Sequence, residues 1–267
     1  MNSPDSVISK LILSLDFANK SSANCPPELI SKDGLYLPFR FQNKVADDEK
    51  IFKVDNGLYI GTQEGAADVR FIKGLAINHV INLTSGSSLI PNYAVGQTQY
   101  DISYNNFYLR DNIGEDVDVI LKVMDESINI INSVLDKGNT IMVHCNAGLS
   151  RSASVIMAYL MKSRRLTLLE AVKAFKRIRG RVAVCTPSYW SALFIFEKRL
   201  AKLRKQKVPV KPTYNFLHHI CDDISVESGE KFSIMLASEK EIAVYLKKYD
   251  YNASRMIKDL LRMKYGK

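Results

Sequence analysis

A chain of 267 residues makes one large domain, or one ordinary domain with extensions, since domains run roughly 100 to 200 residues. With 46% hydrophobic and 24% charged residues, 13 Gly and 8 Pro, it sits near the globular average, which argues against collagen-like, wholly disordered and disulfide-scaffold classes. The net charge is +9, and between Lys162 and Lys211 the only acids are Glu170 and Glu197, so that half suits an anionic partner.

In chain order, residues 1–50 open with Val7, Ile8, Leu11, Ile12 and Leu15 at the spacing of a short helical face, then meet Cys25-Pro26-Pro27, where a helix does not easily continue. This stretch is expected to be an extension. Leu58 to Gly61 reads as a strand, Ala66 to Leu75 as a helix, His79 to Leu83 as a buried strand, and Gln99 to Tyr104 as another strand. A long helix is predicted from Asp116 to Leu135, with Ile120, Met124, Ile128 and Ile131 on one face and Gly138 as its stop. Thr140 to His144 is a short apolar strand. Helices are expected over Ser152 to Lys162, Thr167 to Ile178 and Ser188 to Leu203. Strands alternating with helices imply an α/β fold with a central, mostly parallel sheet flanked by helices, and with helical terminal extensions. Residues 51–205 form the expected central domain, and residues 206–267 a basic, Pro-containing linker followed by a helical C-terminal extension. In that extension Ser238 and Glu241 have capping-box spacing, and a second helix is predicted over Ala253 to Met263.

The longest apolar run, Val155 to Met161, falls far below the roughly 20 residues that cross a bilayer, so no membrane span is expected. Met1-Asn2-Ser3-Pro4-Asp5 lacks the basic-then-apolar order of a secretory signal, which makes a cytoplasmic or nuclear setting the expectation. Cys25, Cys145, Cys185 and Cys221 show no metal-ligand spacing, so neither a disulfide framework nor a metal site is expected. Nucleic acid is not the expected partner either, because no zinc-finger, RNP or basic-zipper pattern accompanies the positive charge.

The chemistry concentrates in His144-Cys145-Asn146-Ala147-Gly148-Leu149-Ser150-Arg151-Ser152, between an apolar strand and a helix. A loop at a helix N-terminus can aim several backbone N–H groups at one point, and Gly148 lets this one curl. Arg151 can add a planar guanidinium that holds a phosphoryl group through two parallel hydrogen bonds. The same donors favour the thiolate of a cysteine at the centre, which makes Cys145 the candidate nucleophile.

These residues resemble the His-Cys-x5-Arg signature of the cysteine-based protein tyrosine phosphatases. The form Cys145-x-Ala147-Gly148-x-Ser150-Arg151-Ser152, followed by Ala158-Tyr159-Leu160-Met161, is similar to the dual-specificity branch, and the likeness runs from residue 51 to about 203. The resemblance implies removal of phosphate from Tyr and Ser/Thr of a phosphorylated protein substrate, through a phospho-cysteine, with no metal or other cofactor. It implies that His144 tunes Cys145, and that Arg151 and the backbone of Asn146, Ala147, Gly148, Leu149 and Ser150 bind phosphate. Ser150 would assist release of the thiolate. Asp111, in Tyr108-Leu109-Arg110-Asp111-Asn112, fits the family's general acid. Asp116 and Asp118 are its rivals, but their place at a helix start suits capping and first-turn charge.

The sequence departs from the family at Pro187-Ser188-Tyr189-Trp190, where an Asn commonly follows the Pro and a Gly-Phe pair comes soon after, so support of the site is expected to be built differently. Trp190 is expected in the core. Arg179 and Arg181 fit either a second-phosphate contact or a solvated basic face. Arg204-Lys205-Gln206-Lys207, with Val208 and Val210, resembles the docking motif read by kinase partners of such phosphatases, which would make a MAP kinase the partner; the alternative is an ordinary solvated basic run. The alternatives are a phosphoinositide or other non-protein phosphatase, disfavoured by the neutral Asn146, Ala147 and Leu149, and a phosphopeptide-binding module with little activity.

Overall fold

The computed structural model describes residues 50–84, 101–111, 115–181, 183, 185–207, 247–252, 255, 256, 259 and 262. Five strands, β1 (Ile51–Asp55), β2 (Leu58–Gly61), β3 (His79–Asn82), β4 (Ser103–Asn106) and β5 (Ile141–His144), form one sheet in the order β1-β2-β5-β3-β4. Only the β1–β2 hairpin is antiparallel; β5 pairs in parallel with β2 and β3, and β3 with β4. The last residue of β5, His144, pairs with Gly61 on one side and Asn82 on the other, so the centre of the sheet is fixed up to the residue before Cys145.

Period-two alternation sends β5 side chains to two cores. Ile141 and Val143 enter the larger, built with α3 (Val117–Leu135), α4 (Arg151–Ser163), α5 (Leu168–Arg179) and α6 (Pro187–Leu203). Met142 enters the smaller, which holds Ala66 of α1 (Gln63–Ala67) and Ile72 of α2 (Val69–Gly74). With both faces covered, β5 has no polar alternation to show. Burying each large apolar side chain of this kind stabilises the fold by about 1.5 to 3 kcal/mol.

On α3 the predicted stripe Ile120, Met124, Ile128 and Ile131 is buried. Asp116 is its N-cap, its Oδ1 accepting the Asp118 N–H at 2.8 Å. The helix α4 is buried on every side from Arg151 to Met161, as befits the middle of a layer. A Thr167–Glu170 capping box starts α5, and Glu197 of α6 adds a second acceptor there, taking the Leu168 N–H at 2.7 Å.

Several expectations are corrected by the structure. The helix expected over Ala66 to Leu75 is two short ones, because the Asp68 side chain accepts the Phe71 N–H and starts a new helix. Within the described part of the strand expected over Gln99 to Tyr104, Asp101 at φ 61° turns the chain and the strand β4 begins at Ser103, while Gln99 and Tyr100 lie outside the described residues. β1 was not among the predicted strands. The N-terminal helical face, the Ser238 capping box and the linker from Val208 onward lie outside the described residues.

Near the C-terminus, Tyr249 and Tyr251 pack against the larger core and Met256 is buried in it. The rings of Tyr251 and Phe194 of α6 are 5.3 Å apart, and Lys198 pairs with Asp250 while its ammonium lies 4.4 Å from the Tyr251 ring centre. Trp190 is buried in the core. Arg204, part of the basic run, donates from Nη2 to the Met161 carbonyl, whereas Lys205 and Lys207 are exposed.

Candidate active site

The strand β5 delivers Cys145 to the base of a loop that ends where α4 begins, and every support of that loop comes from outside it. The Gln63 N–H donates to the Asn146 carbonyl at 2.9 Å, and Arg179 Nη2 donates to the Ala147 carbonyl at 3.2 Å. The Ser150 carbonyl accepts both the N–H and the hydroxyl of Ser154, each at 2.8 Å. Gly148 sits at φ +69° with its α-carbon so close to β2 that a β-carbon would lie 3.0 Å from the Gly61 carbonyl oxygen. With the Asn146, Ala147 and Ser150 carbonyls tied outward, no N–H from Asn146 to Ser150 meets an acceptor among the described residues. Those donors, at the positive end of a 13-residue helix, make an anion cradle around the thiol.

Cys145 is buried, and its Sγ lies 3.1 Å from the hydroxyl of Ser152. Ser150, which the sequence reading placed beside the thiolate, points elsewhere: its Oγ donates to Asp111 Oδ1 at 2.5 Å. The hydroxyl next to the sulfur is therefore that of Ser152. The signal for it was available, because a first-turn helical side chain leans back over the preceding loop.

Asp111 reaches the loop from the segment after β4. Its Oδ2 is 3.5 Å from Arg151 Nε. Burial pushes its carboxyl above the usual carboxylate range, against the opposing pull of the Ser150 hydroxyl and the Arg151 charge. Arg151 is buried, and its Nη1 donates to the carbonyls of Leu109 at 3.1 Å and Leu83 at 3.4 Å. The guanidinium is thus held at the rim of the cradle by the same segment that carries Asp111.

His144 lies behind the thiol with no exposed surface, and neither ring nitrogen has a hydrogen bond of ordinary geometry among the described residues. Burial drives its pKa down to about 4, the Cys145 backbone offsetting this in part and Arg151 adding to it, so the imidazole is neutral. Asp116 is occupied as the N-cap of α3 and Asp118 is an exposed first-turn residue. Arg179 is not a solvated cation: it is buried, lies 3.9 Å over the Phe52 ring and supports the loop from behind. The structure thus brings Cys145, Ser150, Arg151 and Asp111 together, keeps His144 beneath them and adds Ser152.

Comparison with known proteins gives the same frame. The family model described as Dual specificity phosphatase, catalytic domain, matches residues 58–199. Dual specificity protein phosphatase PHS1 of Arabidopsis thaliana is 33% identical over 143 residues, 52% of this chain and 14% of that protein. Dual specificity protein phosphatase 1 of Mus musculus is 30% identical over 198 residues, 67% of this chain and 50% of that protein. The chain therefore spans half or less of the length of these two curated relatives. The crystal structure of human DUSP28 is 24% identical, covers 58% of this chain and 97% of its own, and superposes with a TM-score of 0.50, which shows a shared fold. No helix among the described residues is long and apolar enough to cross a membrane.

Proposed function

The chain belongs to the dual specificity phosphatase family, and from that premise we propose that it is a protein phosphatase that hydrolyses phosphotyrosine and phosphoserine or phosphothreonine through a phospho-cysteine at Cys145. The observation that carries this reading is the meeting of Asp111 with Ser150 and Arg151 above the thiol-bearing loop.

In the first step the Cys145 sulfur attacks phosphorus as the P–O bond to the substrate breaks. The Asp111 carboxyl, whose hold on its proton is strengthened by burial, gives that proton to the leaving oxygen. Negative charge on the three equatorial oxygens is met by the N–H groups from Asn146 to Ser150 and by the Arg151 guanidinium. In the second step water attacks the phospho-cysteine, its proton passes to the Asp111 carboxylate, and the S–P bond electrons return to sulfur. The Ser152 hydroxyl, 3.1 Å from that sulfur, donates to the departing thiolate. His144 stays neutral and packs under the nucleophile, a placement that supports the loop and involves no proton transfer. The neutral side chains of Asn146, Ala147 and Leu149 favour a monoester on protein over a multiply phosphorylated headgroup.

The finer reading of the partner is a MAP kinase that engages Lys205 and Lys207, with the cytoplasm or nucleus as the setting. Lys205→Glu with Lys207→Glu then weakens kinase capture and leaves peptide turnover intact.

The test is turnover of phosphotyrosine and phosphothreonine peptides by the wild type and by Cys145→Ser, Arg151→Lys and Asp111→Asn. Cys145→Ser abolishes turnover while keeping the fold, because an unassisted hydroxyl stays protonated. Arg151→Lys lowers kcat more than about tenfold with a smaller change in KM, since the charge is kept and the fork is lost. Asp111→Asn slows peptide turnover by about 10² to 10⁴, and the basic limb of its pH profile disappears. Vanadate inhibits the wild type and a chelator does not. Turnover by Cys145→Ser, or loss of activity with the chelator, removes this reading.

A further inference from the structure

We propose that Glu115 and Tyr189 are positioning residues that grip the backbone of Arg110 from opposite sides and so hold the Asp111 carboxyl over the phosphate loop. The inference rests on the reading of Asp111 as the acid and assigns two residues that the family motif does not contain.

Arg110 is the residue immediately before Asp111, and both of its peptide groups are bound by side chains. Its N–H donates to Glu115 Oε2 at 2.5 Å, and its carbonyl accepts the Tyr189 hydroxyl at 2.8 Å. The other Glu115 oxygen accepts the Asp116 N–H at 3.1 Å and lies 3.5 Å from Arg110 Nη2. The carbonyl one residue earlier, at Leu109, takes Arg151 Nη1 at 3.1 Å. Successive groups from Leu109 to Asp111 are thus each fixed to a different element: α4, the turn before α3, α6, and the phosphate loop.

Such bonding is more than a connecting segment needs. Loops ordinarily leave their peptide groups to water, and a buried carboxylate is costly unless several donors converge on it. Glu115 is buried and has those donors: two backbone N–H groups and a guanidinium. Tyr189 has no exposed surface and belongs to the segment where this sequence departs from the family pattern. Burial and the charges of Asp111, Glu115 and Cys145 push the Tyr189 phenol upward, with Arg151 opposing, so the group remains an O–H donor throughout the working range. The groups that face Asp111 are Ser150, Arg151 and the Tyr189 phenol.

A proton donor must stand within hydrogen-bond reach of the oxygen it serves, and a displacement of about 1 Å costs about 10² in rate. Releasing Arg110 therefore misplaces the acid while leaving nucleophile and cradle untouched. It also lets water reach Asp111, which brings its carboxyl back toward the ordinary range.

The experiment measures kcat/KM against pH for the full chain and for Tyr189→Phe, Glu115→Gln and Asp111→Asn. Each is assayed on a phosphotyrosine peptide, whose leaving oxygen needs a proton, and on p-nitrophenyl phosphate, whose leaving group needs little. Tyr189→Phe is expected to lose about fivefold on the peptide, the rate equivalent of one neutral hydrogen bond, and under about twofold on the aryl phosphate. Glu115→Gln, which turns an amide N–H toward a backbone donor, is expected to lose more than about tenfold on the peptide. In both the basic limb moves to lower pH. Equal losses on the two substrates with an unmoved basic limb mean a merely structural role and overturn the proposal, as do unchanged kinetics. If Glu115→Gln does not fold, Tyr189→Phe alone decides. A basic limb that survives in Asp111→Asn contradicts the acid assignment, an outcome separate from failure of the grip.

Discussion

Replacing Gly148 by Ala probes the phosphate cradle through its backbone alone. At φ +69° any L-residue pays roughly 1 to 2 kcal/mol for the left-handed conformation. The added carbon also lands 3.0 Å from the Gly61 carbonyl oxygen, 3.4 Å from its carbon and 3.6 Å from Arg179 Nε. Gly61 lies in β2 between β1 and β5 and has little freedom to retreat, so the loop shifts by a few tenths of an ångström. The N–H groups aimed at the phosphoryl oxygens shift with it. Gly138→Ala is the matched control, since its φ is +74° but nothing lies within 4 Å of the new carbon. Urea unfolding and kcat/KM on a phosphotyrosine peptide are measured for both variants. Both are expected to lose about 1 to 2 kcal/mol of stability, and only Gly148→Ala to lose about tenfold or more in kcat/KM. Gly148→Ala activity within about twofold of wild type refutes the reasoning that the seated loop backbone sets transition-state binding.

Four further outcomes follow from the structure. Ser152→Ala removes the hydroxyl beside Cys145 and is expected to slow phospho-cysteine breakdown about tenfold or more, so that rapid mixing shows a burst of one leaving group per enzyme. Ser150→Ala shows no burst but shifts the basic limb to higher pH, because the hydroxyl that holds the Asp111 carboxyl down is gone; the reverse pattern moves the thiolate-stabilising role to Ser150. Burial raises the Glu197 carboxyl from 4.5 to about 7, so the folded state binds a proton that the unfolded state has released. Its contribution to stability is present below about pH 4.5 and lost as pH rises through about 7, a decline of up to roughly 3 kcal/mol that Glu197→Gln flattens in urea midpoints; an unflattened curve contradicts it. Tyr251→Ala loses the Phe194 ring pair and the Lys198 contact, an expected cost of about 2 kcal/mol seen as a lower Tm with aryl phosphate turnover unchanged; an unchanged Tm shows that the C-terminal segment adds nothing to the core.

The helices α3 and α5 were readable because hydrophobic period and caps agreed there, Asp116 and Thr167 both capping helices predicted to begin beside them, whereas β5 stood out as a short apolar run. β1 was not predicted, although Asn56-Gly57 between Val54 and Leu58 is a strong short-range hairpin signal. The break at Asp68 is a competition between two helical starts that propensity alone does not resolve. At the site, Cys145, Arg151 and Asp111 stood out as chemical types at motif spacing. The residues that aim them did not. Glu115, Arg179 and Tyr189 come from three separate stretches and meet the loops only through tertiary folding, and an exposed cation and a buried loop support look alike in sequence.

The central claim is a phosphoryl group on Cys145, and trapping it tests that claim most directly. Ser152→Ala is mixed with excess phosphotyrosine peptide, quenched in acid within the burst, and digested for mass spectrometry. The prediction is one phosphoryl group on the peptide that contains Cys145, absent when Cys145→Ser is added to the same chain. A phosphoryl group on another residue, or inorganic phosphate released at the wild-type rate by the Cys145→Ser variant, contradicts it.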